Sequence, residues 1–269
     1  MTQQISATYG HGTENDFVIL FDPDDQLEIK AESIAAICNR ATGIGADGFI
    51  RILKRDTKWF MDYRNADGSV AEMCGNGIRV MARYLVEKGH QPEGIFAIDT
   101  RDGIKHLRVP MTGDISVNMG KVNDEMEEVS VLQNTHTWGA LNISVGNPHA
   151  VTFVEDLDEV GSLESAPVVT PSSSYPEGVN VEFVEILPNL EARMRVHERG
   201  SGETRSCGTG TCAVALAATI HTGGKLPSRW TIYPPGGRLI VDLDGHSNAT
   251  LIGPAELVRD VEIGQYLTA

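Results

Sequence analysis

Hydrophobic and polar positions alternate in short runs over the first sixty residues. Asp16-Phe-Val-Ile-Leu-Phe21 and Gly48-Phe-Ile-Arg-Ile-Leu53 are rich in β-formers and bounded by turn residues, which predicts two strands. Between them the period changes. Residues 32–38 set Ile34, Ile37 and Cys38 on one helical face, so Cys38 reads as a core residue. A further strand ends in the turn Tyr63-Arg-Asn-Ala-Asp-Gly-Ser69. After Cys74-Gly-Asn-Gly77 comes a helix with Ile78, Met81, Tyr84 and Leu85 on one face, closed by Lys88-Gly89. Short strands fill 95–122, and the acidic run 123–130 reads as a linker or exposed loop. Strands are expected again over 141–154, 179–186 and 192–197, the last leading into Glu198-Arg199-Gly200-Ser201-Gly202. Cys207-Gly-Thr-Gly210 then opens a helix that is small and apolar almost all round, Ala213-Val-Ala-Leu-Ala-Ala218. A helix with no wet face must be wrapped by other elements, here by sheet.

The second half therefore repeats the first: strand, polar turn, Cys-Gly-X-Gly, helix. The two copies stand about half the chain apart. This predicts an α+β fold of two similar domains, each a curved, mostly antiparallel sheet around a central helix. The expected domains are 1–119 together with 253–269, and 120–252, with an active site in the cleft between them.

Composition narrows the function. The 269 residues, 41% hydrophobic and 22% charged, suit a soluble globular chain of about two domains. A formal net charge of −15 argues against nucleic-acid and acidic membrane surfaces as partners. The first residues lack a basic segment followed by an apolar one, and no stretch approaches the length of a membrane span. Four cysteines in a chain this long make no disulfide framework, and none has metal-ligand spacing to a histidine, so no metal is expected and the cytoplasm is the expected compartment.

Each Cys-Gly-X-Gly sets a thiol and glycines at the mouth of a helix. Unpaired N–H groups and the helix dipole favour an anion there. A thiol in that place is expected to lose its proton more readily, and the amides can grip a carboxylate. Two such ends facing one ligand can remove a proton from one face of a carbon and return one to the other, inverting a stereocentre. Phosphate binding is disfavoured, because no Lys-Ser/Thr follows either glycine pair. Taken singly, the asparagines are better accounted for as turn residues than as ligands, and Glu198-Arg199 reads equally as a surface ion pair. Two other classes remain open on the residues: a cysteine hydrolase with Cys207 as nucleophile and His149 as base, which leaves Cys74 unexplained, and a non-catalytic amino-acid binder.

Asn15-Asp-Phe17, Gly43-Ile-Gly-Ala-Asp-Gly48, Arg64-Asn-Ala-Asp-Gly68, Glu72-Met-Cys-Gly-Asn-Gly77, Gly146-Asn-Pro-His149, Gly178-Val-Asn-Val-Glu-Phe183, Glu198-Arg-Gly200, Gly202-Glu-Thr204, Cys207-Gly-Thr-Gly210 and Gly253-Pro-Ala255 follow one another in an order that resembles diaminopimelate epimerases over almost the whole chain. The resemblance implies cofactor-free interconversion of L,L- and meso-diaminopimelate, a small amino-acid substrate, in lysine and peptidoglycan-precursor synthesis. It implies that Cys74 and Cys207 are the acid and base, proton donor and acceptor respectively, supported by His149 and Glu198. The amides of Gly75, Asn76, Gly208 and Thr209 would hold the carboxylate at the reacting carbon. Asn15, Asn65, Asn147, Asn180, Glu198 and Arg199 match substrate-binding positions. At Gly48, where some members carry an amide side chain that contacts substrate, this chain has none. A proline racemase-like isomerase of the same architecture is the nearest alternative. A homodimer is compatible with such an enzyme, and no stretch of the sequence specifies its interface.

Overall fold

The computed structural model describes residues 4–267. In chain order the elements are β1 (Ser6–Gly12), β2 (Asn15–Phe21), α1 (Ala31–Cys38), β3 (Gly48–Arg55), β4 (Lys58–Asn65), α2 (Gly75–Glu87), β5 (Gly94–Thr100), β6 (Gly103–Val109) and β7 (Ile115–Lys121). They continue with β8 (Asn123–Gln133), β9 (His136–Ser144), β10 (Pro148–Phe153), β11 (Val168–Thr170), β12 (Asn180–Leu187), β13 (Glu191–Glu198) and β14 (Gly202–Thr204). After α3 (Gly208–His221) come β15 (Ser228–Tyr233), β16 (Leu239–Leu243), β17 (Asn248–Gly253) and β18 (Glu256–Glu262).

The chain divides into two compact units. One holds the residues up to Val117 together with those from Gly253 onward; the other is Asn118–Ile252. In the first, β18, β1, β2, β3, β4, β5, β6 and β7 pair in that order, with β2/β3 and β4/β5 parallel and the rest antiparallel. In the second, β8, β9, β10, β12, β13, β15, β16 and β17 follow the same pattern, with β10/β12 and β13/β15 parallel. Each unit is thus the α+β repeat expected, a mostly antiparallel sheet with one central helix.

The repeat holds at the level of single residues. In the first unit Phe17 lies opposite Gly48 and Ile19 opposite Ile50. In the second His149 lies opposite Asn180 and Val151 opposite Glu182. Across the next pairing Gly48 meets Asn65, and the Val181–His197 register runs on to Asn180 and Glu198. Phe17 therefore corresponds to His149, Ile50 to Glu182, and Asn65 to Glu198.

Both central helices are buried on all sides. Around α3 the burial follows directly from its alanines and valines, which leave no polar face to hydrate. In α2 it extends beyond the apolar face of Ile78, Met81, Tyr84 and Leu85 to two arginines. Arg83 satisfies its guanidinium on the carbonyls of Pro110 and Met111, each 2.8 Å away, and of Gly113 at 2.6 Å. Arg79 reaches the Gly75 carbonyl and the Asn76 side chain, both at 3.1 Å. Buried donors are tolerated because each finds an acceptor.

Two elements differ from the sequence expectation. The acidic run 123–130 is the first part of β8, not a linker. It pairs with β9 through a bulge between Asp124 and Glu128, and regular burial begins only at Val129 and Val131. The charges sit at exposed positions of an otherwise ordinary strand, which hides its period. The expected strand over 141–154 is broken in two at Gly146, whose φ of +83° turns the chain between β9 and β10.

Candidate active site

In the first unit Cys74 is the N-cap of α2. Its backbone is extended, with φ −133° and ψ 120°, and Sγ accepts the Gly77 N–H at 3.4 Å. The thiol lies 3.6 Å from Asn15 Oδ1, which also accepts from Asn76 Nδ2 at 3.2 Å. The Asn15 amide is fixed from behind: its Nδ2 donates to Asp47 Oδ2 at 2.8 Å, and Arg40 Nη2 holds the other Asp47 oxygen at 2.6 Å. An asparagine whose nitrogen is committed to a carboxylate must present its oxygen to the cysteine. Asn65 stands exposed at the end of β4, its Nδ2 on Ser69 Oγ at 3.0 Å. A side chain at Gly48 is sterically excluded, since a Cβ there would lie 2.7 Å from the Tyr63 ring and 2.9 Å from the Arg64 carbonyl. The Tyr63 hydroxyl, 3.1 Å from that point, takes the space.

In the second unit Cys207 caps α3 in the same way, with φ −121°, ψ 118° and the Gly210 N–H at 3.4 Å from Sγ. Its surroundings are far more polar. Thr209 Oγ1 is 3.5 Å from the sulfur, Asn147 Nδ2 donates to that hydroxyl at 3.3 Å, and Asn147 Oδ1 is 3.0 Å from His149 Nε2. His149 Nδ1 lies 2.7 Å from Glu182 Oε1, and both of these side chains are fully buried. Glu198, on β13, accepts a short hydrogen bond from the Thr204 hydroxyl. Burial pushes its carboxyl above the usual range against the opposing bonds from Thr204 and Cys207.

The expectation that a helix start lowers the thiol pKa fails at Cys207. Burial raises it well above the ordinary value, the carboxylates of Glu198 and Glu182 add to that, and the Thr209 hydroxyl and Gly210 amide do not offset them. In this arrangement the thiol is the favoured form of Cys207. Asn180 is tied to the protein at both ends, its Nδ2 on the Pro148 carbonyl at 3.0 Å and its Oδ1 on the Arg199 N–H at 2.9 Å. It thereby shapes the turn that carries Arg199. The Arg199 side chain is exposed and reaches the Glu177 carbonyl at 3.3 Å.

The structure thus gathers Asn15, Cys74, Gly75 and Asn76 at one helix start, and Asn147, His149, Glu198, Cys207, Gly208 and Thr209 at the other. Asn65, Asn180 and Arg199 lie on neighbouring turns. Asp47 and Glu182 were not singled out from sequence. Asp47 reads as a turn residue, and Glu182, between Val181 and Phe183, reads as the wet position of an alternating strand.

This duplicated fold, with a cysteine-capped helix in each repeat, belongs to a known structural class. It is similar to a phenazine biosynthesis protein of the PhzF family from Bacillus anthracis, with TM-score 0.73 and 14% identity over 97% of this chain and 99% of that one. It is also similar to a hydroxyproline epimerase from Agrobacterium vitis, with TM-score 0.70 and 13% identity over 96% and 92%. Within the class the sequence is more decisive. The diaminopimelate epimerase family profile matches residues 7–124 and 141–258. Diaminopimelate epimerases of Streptomyces coelicolor and Thermobifida fusca are 45% and 44% identical to the chain, over 97% and 94% of it and 96% of each relative. The chain belongs to the diaminopimelate epimerase family.

Proposed function

We propose that the chain interconverts L,L- and meso-diaminopimelate without a cofactor, in lysine and peptidoglycan-precursor synthesis. The observation that carries the reading is the pair of cysteine-capped helix starts, one in each repeat, in a chain so close to named epimerases. In this reading the two sulfurs act on opposite faces of one α-carbon. One thiolate removes the proton while one thiol delivers another. The first-turn amides of α2 and α3, at Gly75, Asn76, Gly208 and Thr209, grip the adjacent carboxylate and stabilise the carbanion as charge moves onto it. The Cys74 sulfur faces the Asn15 Oδ1 acceptor, and burial and two carboxylates favour the thiol at Cys207. In the direction the family resemblance gives, Cys74 donates the proton and Cys207 accepts one, and the roles exchange in the reverse direction. Asn15, Asn65, Asn147 and Arg199 would bind the remaining polar groups of a zwitterion.

The reaction is tested in deuterated water with each diaminopimelate stereoisomer. Deuterium should enter at one α-carbon as configuration changes, and Cys74→Ala and Cys207→Ala should each lower turnover about a hundred- to ten-thousand-fold. Turnover of proline in place of diaminopimelate, or near-normal rates in both variants, overturns the reading. No helix among the described residues is long and apolar enough to cross a membrane. The four free cysteines favour a reducing cytoplasm. A homodimer is compatible with this reading, and sedimentation in solution measures it.

A further inference from the structure

The two repeats put opposite chemistry at matching positions. In the first unit a Cβ built on Gly77 would lie 3.1 Å from Ile50 Cδ1 and 3.4 Å from Phe17 Cε1, so the start of α2 rests on two apolar side chains. At the corresponding places the second unit carries Glu182 and His149. A Cβ on Gly210 would lie 2.6 Å from Glu182 Oε1. All four side chains are buried. The fold itself is therefore satisfied by isoleucine and phenylalanine, and burying a carboxylate beside an apolar helix is much more costly than burying isoleucine. Packing does not account for Glu182. Its Oε1 meets His149 Nδ1 at 2.7 Å, while Oε2 is buried and has no hydrogen-bond partner among the described residues.

A carboxylate can only accept, so the proton of that contact sits on Nδ1. Nε2 meets the Asn147 side-chain amide at 3.0 Å, donating to its oxygen when protonated or accepting from its nitrogen with the amide turned over, and through Asn147 and Thr209 a continuous series of polar contacts of 3.0, 3.3 and 3.5 Å runs to the Cys207 sulfur. We infer that Glu182 is a positioning residue: it fixes the ring orientation and the Nδ1 proton of His149, and so sets the polar series that ends on Cys207. This rests on the epimerase reading above. It adds to that reading a residue whose counterpart in the other repeat is a plain apolar side chain. The carboxylate acts through the imidazole and touches no substrate.

Glu182→Gln keeps the size of the side chain but replaces an obligate acceptor with a group that can also donate, which admits the other tautomer. In the full-length, histidine-¹⁵N-labelled chain, wild type should show a strongly downfield, slowly exchanging proton bound to His149 Nδ1, assigned by its disappearance in His149→Gln. Glu182→Gln should lose that signal, keep the wild-type melting curve, and lower kcat about ten- to a thousand-fold with KM within about threefold. A wild-type ring with no proton on Nδ1 overturns the inference, and so does a Glu182→Gln enzyme whose kcat stays within about threefold of wild type. If Glu182→Gln does not fold, the wild-type spectrum alone decides. If wild type fails to epimerise diaminopimelate yet shows the Nδ1 proton, the proposed reaction falls while the positioning of His149 stands.

Discussion

Gly210 has little room to change. A methyl group there would press on Glu182 Oε1 at 2.6 Å and on the Cys207 sulfur at 3.3 Å. Gly210→Ala should lose most of its turnover and about 1–3 kcal/mol of stability, read by steady-state assay and urea unfolding. Gly48 is constrained by different neighbours. Restoring an amide as Gly48→Gln should destabilise the chain by a similar amount, about 1–3 kcal/mol, because the Tyr63 ring and a main-chain carbonyl must shift to admit it; an unchanged urea midpoint would contradict this. Glu198 gives a pH test. Its folded carboxyl holds a proton to higher pH than an unfolded one, so folded chains bind more protons between the two values. Stability attributable to Glu198 is then full below the ordinary carboxylate range and declines as pH rises through the raised value. Glu198→Gln should flatten that part of the stability–pH curve while abolishing turnover, and a curve parallel to wild type would contradict the assignment.

Among elements, those with an undisguised period were the legible ones. β2 and β3 stand where runs of β-formers bounded by turn residues put them, and α1 and α3 where helical spacing and the second Cys-Gly-X-Gly put them, because each meets one uniform environment. β8 was hidden because its acidic residues sit at exposed positions around a bulge, so its hairpin pairing with β9, and not an alternation of its own, decides its structure. The same limit explains Glu182. Alternation assigns it to water, whereas the helix lying over that face of the sheet is visible only in three dimensions. The cysteines and glycines were legible because helix-end geometry is local. The rise in the Cys207 pKa was not, since it comes first from burial in the folded chain and then from Glu198 and Glu182 on other strands. The wrapped character of α3 makes its own prediction: Ala217→Leu, at a fully buried position, should cost about 1–3 kcal/mol in urea unfolding, whereas a substitution at exposed Ile220 should cost little.

For the molecule as a whole, a net charge of −15 works against compaction. Moving from about 0.01 M to about 0.15 M salt should raise the melting temperature by screening that repulsion, and a flat or falling temperature would locate the acidic groups in favourable pairs instead. Duplication supplied two like scaffolds, and divergence at Phe17/His149 and Ile50/Glu182 gave their cysteines unlike surroundings. A last consequence comes from the route of the chain. β1 pairs with β2 on one side and with β18 on the other, and β18 is translated only after all of Asn118–Ile252. On the ribosome the first lobe to begin is accordingly the last to close. A nascent polypeptide stalled before residue 253 carries a bare β1 flank, which chaperones or a stray strand from another chain can engage.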